Sequence, residues 1–201
     1  DWRFRRVLFR SYRRPDRLRS ALASVSRQTE RDFEVLVMNN DIATSDQVEE
    51  VASGFDLPIR VFHNEANLGQ SASRNRGVEL AESEIVALLD DDDSWLPTFL
   101  EANRARRETD PDASLVYCGH YVVWSDIPLA PRAQPASPPP DGDLFRSILR
   151  GDFTLAANSI LTIKRDEYVA LGGYDPNLSG FPDWDFQLRL SRTGRFVHIA
   201  E

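Results

Sequence analysis

Cysteine and lysine each occur only once in the 201 residues, as Cys118 and Lys164, and there are three histidines. A single cysteine excludes a disulfide framework and a cysteine-based zinc site, and it suits a reducing compartment. His63, His120 and His198 have no close metal-ligand spacing and read as ordinary buried or surface side chains. No apolar run approaches the ~20 residues that span a bilayer, and no signal-peptide pattern is present. The chain thus reads as a soluble domain, expected in the cytoplasm or at most peripheral at the inner face of a membrane. With a net charge of −8, it lacks the basic surplus that a nucleic-acid partner demands.

What the chain does have is enough apolar material, 41%, for one large α/β domain. Short apolar runs recur at Val7-Leu8-Phe9, Phe33 to Met38, Ile59 to Phe62 and Ile85 to Leu89. Near-continuous apolar strands alternating with helical patterns predict a parallel sheet covered on both faces. Between the first two runs, Pro15-Asp16 offers a helix start, and Leu18, Ala21, Leu22 and Val25 fall on one helical face. Further helices are predicted near residues 45–52 and 71–81. Gly77, inside the latter, points to close packing or ligand approach.

The second half is less regular. The spacing predicts a helix over 97–109 and an extended segment over 115–124, followed by a proline-rich stretch near 126–143. That stretch reads as a long mobile loop without ladder or helix. A helix near 144–150, a strand near 159–163, a short helix near 166–171 and a helix from about Trp184 to Arg192 complete the outline. The Gly172-Gly173 pair reads as a helix-ending turn.

The densest chemical signal is Leu89-Asp90-Asp91-Asp92-Asp93-Ser94-Trp95. Four adjacent carboxylates at the end of a buried strand repel one another and call for a compensating cation. Hard oxygen donors without sulfur or imidazole suit Mg2+ or Mn2+, with substrate phosphate oxygens and water filling the remaining positions. On an extended segment, Asp90 and Asp92 would point the same way and Asp91 the other. A calcium loop of the EF-hand kind fits the carboxylate spacing, but Trp95 stands where that loop's sharp turn needs glycine. A solvated acidic turn is the plain alternative.

Together with this run, an ordered set of short motifs resembles family 2 of the inverting glycosyltransferases. They are Ser11-Tyr12-Arg13-Arg14-Pro15, Gln28-Thr29, Asp32-Phe33-Glu34-Val35, Asn64-Glu65-x-Asn67-Leu68-Gly69, Ser73-Arg74-Asn75-x-Gly77, Gly172-Gly173-Tyr174-Asp175 and Asp183-Trp184-Asp185-Phe186. The resemblance implies a GT-A fold, an α/β fold with a mostly parallel central sheet flanked by helices. A nucleotide-sugar-binding half would span about 1–95 and an acceptor-binding half about 96–201, within what can be a longer protein.

The resemblance further implies a nucleotide-diphosphate sugar donor, a hydroxyl acceptor that is a carbohydrate, lipid-linked or other, and Mg2+ or Mn2+. Tyr12 would stack on the base, Asn39 would stand where the family has a base-contacting Asp, and Arg74 would approach the nucleotide with Ser11 and Arg14. Asp90 and Asp91 would lie near the ribose or metal, and Asp92 would be the principal metal ligand with Asp90 in support. Asp183 matches the catalytic base, with Asp185 as runner-up. Asp183 also suits the N-cap of the helix beginning at Trp184. Asn39, and Pro182 where the family carries Glu, are departures. They leave room for a catalytically silent nucleotide-sugar-binding domain of a larger protein, while a nucleotidyltransferase would also use paired carboxylates and metal.

Overall fold

The computed structural model describes residues 4–123, 131–140, 143–155 and 157–200. Nine strands and seven helices follow one another along the described residues. They are β1 (Phe4–Ser11), α1 (Pro15–Val25), β2 (Glu34–Asn39), α2 (Ser45–Ser53), β3 (Ile59–His63), α3 (Gly69–Leu80), β4 (Ile85–Asp90) and α4 (Phe99–Thr109). Then come β5 (Leu115–Tyr117), β6 (His120–Val122), β7 (Arg132–Gln134), α5 (Leu144–Arg150), β8 (Leu161–Lys164), α6 (Arg165–Ala170), α7 (Pro182–Leu190) and β9 (Phe196–His198).

Seven strands form one sheet in the order β3-β2-β1-β4-β8-β5-β9. The four predicted strands of the first half are parallel, with β1, β2 and β4 apolar on both faces and β3 the half-exposed edge. Alternate residues serve opposite faces. Val7, Phe9, Val35, Val37 and Leu89 pack with α1, α2 and α4, whereas Leu8, Leu36, Met38 and Leu88 pack with Val78 of α3, Tyr168 of α6 and Phe186 of α7. Each such fully buried side chain contributes roughly 1.5–3 kcal/mol of apolar transfer.

The expected face of α1 is the buried one, and Pro15 stands at its start, where a missing N–H costs nothing. Gly77 is forced. A Cβ there would overlap Leu8 Cδ1 and lie 2.9 Å from Leu8 Cδ2. Gly172 and Gly173 take positive φ of 77° and 65° and end α6 as expected.

Several elements differ from the sequence expectation. The extended segment after Leu115 is two strands, because β5 ends at Tyr117 and β6 leaves the main sheet to pair with β7. β7 lies inside the proline-rich stretch, where Arg132–Gln134 is a proline-free window whose N–H groups can join a ladder. The predicted loop's residues 126–130 and 141–142, and residue 124 of the predicted strand, lie outside the described residues. β9, unforeseen, adds parallel to β5. α7 begins at Pro182, so Phe181 is its N-cap and Asp183 lies within the first turn instead of capping it. Among the described residues, no helix is long and apolar enough to cross a membrane.

Candidate active site

From β1 the chain moves outward to β2 and β3, then returns to β4 on the other side of β1. A reversal of this kind opens a crevice outside the carboxyl ends of the strands, where α/β sheets bind ligands. Register places Ser11 beside Asn39 and Arg10 beside Asp90 at that edge. The predicted residues of the first half therefore gather at one place.

β4 ends at Asp90 and the chain turns at once, with the Asp93 N–H donating to the Asp90 carbonyl at 3.1 Å. This turn breaks the strand alternation expected to aim Asp90 and Asp92 together. Asp90 pairs with Arg74, while Asp92, 42% exposed, meets Nη1 of Arg14 at 3.0 Å and of Arg17 at 3.3 Å. Asp91 is buried, and its Oδ2 has no hydrogen-bond partner among the described residues. Burial pushes the Asp91 carboxyl above the usual carboxylate range, and the nearby Ser11 hydroxyl and Arg14 charge oppose that shift without cancelling it. Leaving a buried polar atom unsatisfied costs about 1–3 kcal/mol, a cost that a bound cation relieves.

Asp93 is also pushed up by burial, against a hydrogen bond from Ser159. The Ser159 hydroxyl donates to Asp93 at 2.6 Å and accepts the Asp90 N–H at 3.0 Å, and the Ser159 carbonyl accepts the Trp95 indole N–H at 2.6 Å. Three contacts thus pin the acidic turn to the segment preceding β8. Nothing local in Asn158-Ser159-Ile160 marks this serine, since only the docking of β8 against β4 brings it here.

Arg74 is buried on α3. Burial works to lower its guanidinium, but the charge and hydrogen bond of Asp90 outweigh that and leave it raised. Its other side faces the Tyr174 ring at 5.9 Å. Arg10 is lowered, first by burial and then by the Arg74 charge, with Asp90 and Asp91 opposing. Three arginine side chains, Arg10, Arg14 and Arg74, are therefore within electrostatic reach of the first two acids of the turn.

On the far side, Asp183 is half-buried, forms no ion pair among the described residues, and accepts only the Trp184 N–H at 3.0 Å. Burial, then the neighbouring Tyr168 and the charges of Asp183 and Asp90, hold the Tyr174 hydroxyl far above its ordinary value, with the Arg74 charge opposing. Asp185, by contrast, is engaged by Arg189 through Nε at 2.9 Å and Nη2 at 2.7 Å.

Tyr12 is partly exposed at the end of β1, with the Arg13 guanidinium 5.0 Å from its ring centre. Asn39 is wholly buried. Its Nδ2 donates to the Asp41 carbonyl at 2.8 Å and to His63 Nδ1 at 3.1 Å, and its Oδ1 accepts from the Asp41 N–H, while the Thr44 hydroxyl nearby donates to the Asp41 carbonyl at 2.9 Å.

Other motif residues brace these. Gln28 holds the Leu96 carbonyl and the Leu100 N–H. Asn75 binds both the N–H and the carbonyl of Tyr174, so the Ser73-Arg74-Asn75 and Gly172-Gly173-Tyr174 motifs fix one another. No group of three metal-ligating side chains converges among the described residues. A hard cation here would take one or two carboxylates of the acidic turn and complete its shell with ligand oxygens and water. The unsatisfied Asp91 oxygen and the sulfur-free donor set fit that arrangement.

Comparison with known proteins agrees with this geometry. A sequence model described as Glycosyl transferase family 2 matches residues 7–161. An uncharacterized glycosyltransferase of Haemophilus influenzae is 26% identical over 196 residues, covering 95% of this chain and 63% of that protein. One from Methanocaldococcus jannaschii is 32% identical over 203 residues, covering 97% and 67%. Among solved structures, S. aureus TarS 1-349 in complex with UDP-GlcNAc superposes with a TM-score of 0.74 at 19% identity, over 98% of this chain and 56% of that one. The mannosyltransferase PcManGT from Pyrobaculum calidifontis, in complex with GDP-Man and Mn2+, does so with a TM-score of 0.69 at 19% identity, over 97% and 54%. The chain thus spans a little under two thirds of the Haemophilus relative and little more than half of these solved chains.

Proposed function

Because the chain belongs to glycosyltransferase family 2 and has the GT-A fold, we propose that it transfers a sugar, with inversion, from a nucleotide-diphosphate sugar to an acceptor hydroxyl. What supports this reading is the acidic turn Asp90 to Asp93, ringed by arginines at the sheet's switch point, with Asp183, which forms no ion pair among the described residues, proposed as the base. TarS with UDP-GlcNAc and PcManGT with GDP-Man and Mn2+ support the donor class and the use of a divalent ion.

In this reading Asp92, with Asp90 or Asp91 beside it, holds Mg2+ or Mn2+, which when bound neutralises the donor diphosphate. Arg14 and Arg74 add fixed positive charge where the leaving group gains negative charge. Asp183 takes the proton of the acceptor hydroxyl as that oxygen forms its bond to the sugar's C1 from one face. The bond from C1 to the diphosphate oxygen breaks on the opposite face, which inverts the centre. Asp185 is less available for that role because Arg189 already holds its carboxylate. The acceptor is a hydroxyl-bearing carbohydrate, lipid-linked sugar or related glycoconjugate.

A thermal-shift panel of UDP, GDP, CDP and dTDP with and without Mn2+ tests the reading, since a ligand of the native state raises its apparent stability. At least one diphosphate should stabilise the chain with metal. Asp92→Asn should abolish the metal-dependent part, and Asp183→Asn should leave binding intact while lowering transfer by about 10²-fold or more. If no diphosphate stabilises the chain with metal, the reading fails. Equal loss of binding in both variants would remove Asp183 from the base role.

A further inference from the structure

Phe181 is the N-cap of α7, and its backbone takes a φ of 54°, in the left-handed region that a bulky side chain rarely adopts. Gly180, which would adopt it freely, stands one residue earlier. The strain has no return in burial, because Phe181 is 74% exposed, more than any other large apolar side chain among the described residues. Its carbonyl accepts the Asp185 N–H at 3.1 Å, a bond that any residue could supply. Energy held at a residue that gives the fold so little points to a use for its side chain.

The ring of Phe181 meets that of Trp184 edge to face, with centroids 6.1 Å apart and planes at 81°. Trp184 is itself fixed. Its indole N–H donates to the Ile148 carbonyl of α5 at 3.2 Å, while 37% of the residue stays in solvent. With that N–H taken, what Trp184 offers a ligand is ring surface. Two rings at nearly a right angle form an aromatic corner, and Asp183 lies between them in the chain, in the same turn of α7. One oxygen of Asp183 accepts the Trp184 backbone N–H, and the other has no hydrogen bond among the described residues.

An exposed aromatic corner can meet a lipid surface or a sugar. An anionic lipid surface asks for surplus positive charge. The two helices that carry the corner have none, since Arg146, Arg150 and Arg189 are balanced by Asp143, Asp183 and Asp185. A sugar asks for what is here. One face of a pyranose is a patch of C–H groups that packs on the electron-rich face of an aromatic ring, while its hydroxyls need a polar neighbour.

We propose that Phe181 and Trp184 form the subsite that seats the acceptor, stacking on the C–H face of its sugar ring so that one of its hydroxyls meets Asp183. The inference rests on Asp183 as the base in the reading above. It adds the residues that hold the acceptor and the part of it they recognise, a pyranose ring instead of an alkyl chain.

The test is saturation-transfer NMR on the 201-residue chain with Mg2+ and UDP, GDP, CDP or dTDP in turn. The probes are the methyl glycosides of glucose, galactose, mannose and N-acetylglucosamine, with sorbitol as a polyol that has no ring. At least one glycoside should bind about three- to tenfold more tightly than sorbitol, the scale of one aromatic contact. Phe181→Gly should remove that margin while leaving the thermal unfolding midpoint at or above that of wild type, because glycine relieves the strain. Phe181→Tyr, which keeps the ring, should keep the margin. A side chain with a merely structural role would move binding and stability together. No glycoside binding above sorbitol, an undiminished margin in Phe181→Gly, or a lowered midpoint accompanying the loss would each overturn the inference. So would Phe181-dependent sedimentation with phosphatidylglycerol vesicles, which would assign the corner to a lipid surface. Stabilisation by a nucleoside diphosphate with metal is measured on the same samples, so the donor reading stands or falls on its own result.

Discussion

Ser159 donates its hydroxyl to the Asp93 carboxylate at 2.6 Å across 66 residues of sequence, and with the same oxygen it accepts the N–H of Asp90. The acidic turn is therefore shaped by a residue from the opposite half of the chain. Ser159→Ala should destabilise the protein by about 1–3 kcal/mol, because Asp93 and the Asp90 N–H each lose the hydrogen bond that Ser159 makes to them. Ser159→Thr, which keeps the hydroxyl, should recover most of it. Urea unfolding of the two variants checks this, and equal stability of Ser159→Ala and wild type would show the contact to be idle.

Arg14 and Arg17 occupy the Asp92 carboxylate that a metal would use. Each pair is partly exposed and worth about 0.2–1 kcal/mol. Replacing both by Gln should tighten Mn2+ binding several-fold in the absence of nucleotide and weaken donor binding when metal is saturating. Electron paramagnetic titration of free Mn2+ reads the first effect. Unchanged affinity would mean that the arginines do not compete with the ion.

Gly77→Ala should cost about 1–3 kcal/mol, the range for overpacking a full core. The new methyl group meets both terminal carbons of Leu8 and approaches Met38 Cγ at 3.0 Å. Thermal unfolding should show a lower midpoint, and Leu8→Ala in the same chain should reduce the added penalty. No change in midpoint would contradict the packing described.

His198 gives stability a pH dependence of definite sign. Burial, aided by the Arg106 charge, lowers its folded value below the ordinary 6.5. The native state then binds fewer protons than the unfolded chain in that range, so this contribution is fully present above 6.5 and is lost as pH falls through the lowered value. His198→Gln should flatten the fall in unfolding free energy between neutral and mildly acidic pH. An identical slope in wild type and variant would refute the assignment.

How much of this was legible in the sequence depended on how locally each feature is determined. β1, β2 and β4 announce themselves because strands buried on both faces must be apolar throughout, and α1 does so because Leu18, Leu22 and Val25 recur at helical spacing. Gly77 showed as an oddity inside a helix, and the packing of Leu8 supplies its reason. β9, the β6–β7 pair and the role of Ser159 are set by which strands meet, which three-residue segments do not encode. Asn39 could be aligned with a base-contacting position, but its hydrogen-bond partners are His63 and the backbone of Asp41, and those become visible only in three dimensions. Asp183 looked like a cap because the helix was expected to begin one residue later than Asp183.

The antiparallel seat of β8 between β4 and β5 has a consequence for how the chain is made. During synthesis the first four strands emerge together, yet the edge of β4 at Ile85 to Ala87 has no partner until Thr162 to Lys164 arrive. Through that interval it is an open, apolar template for pairing with another chain. Mutations that delay the docking of β8 should therefore show themselves as insoluble protein before they show themselves as slow enzyme.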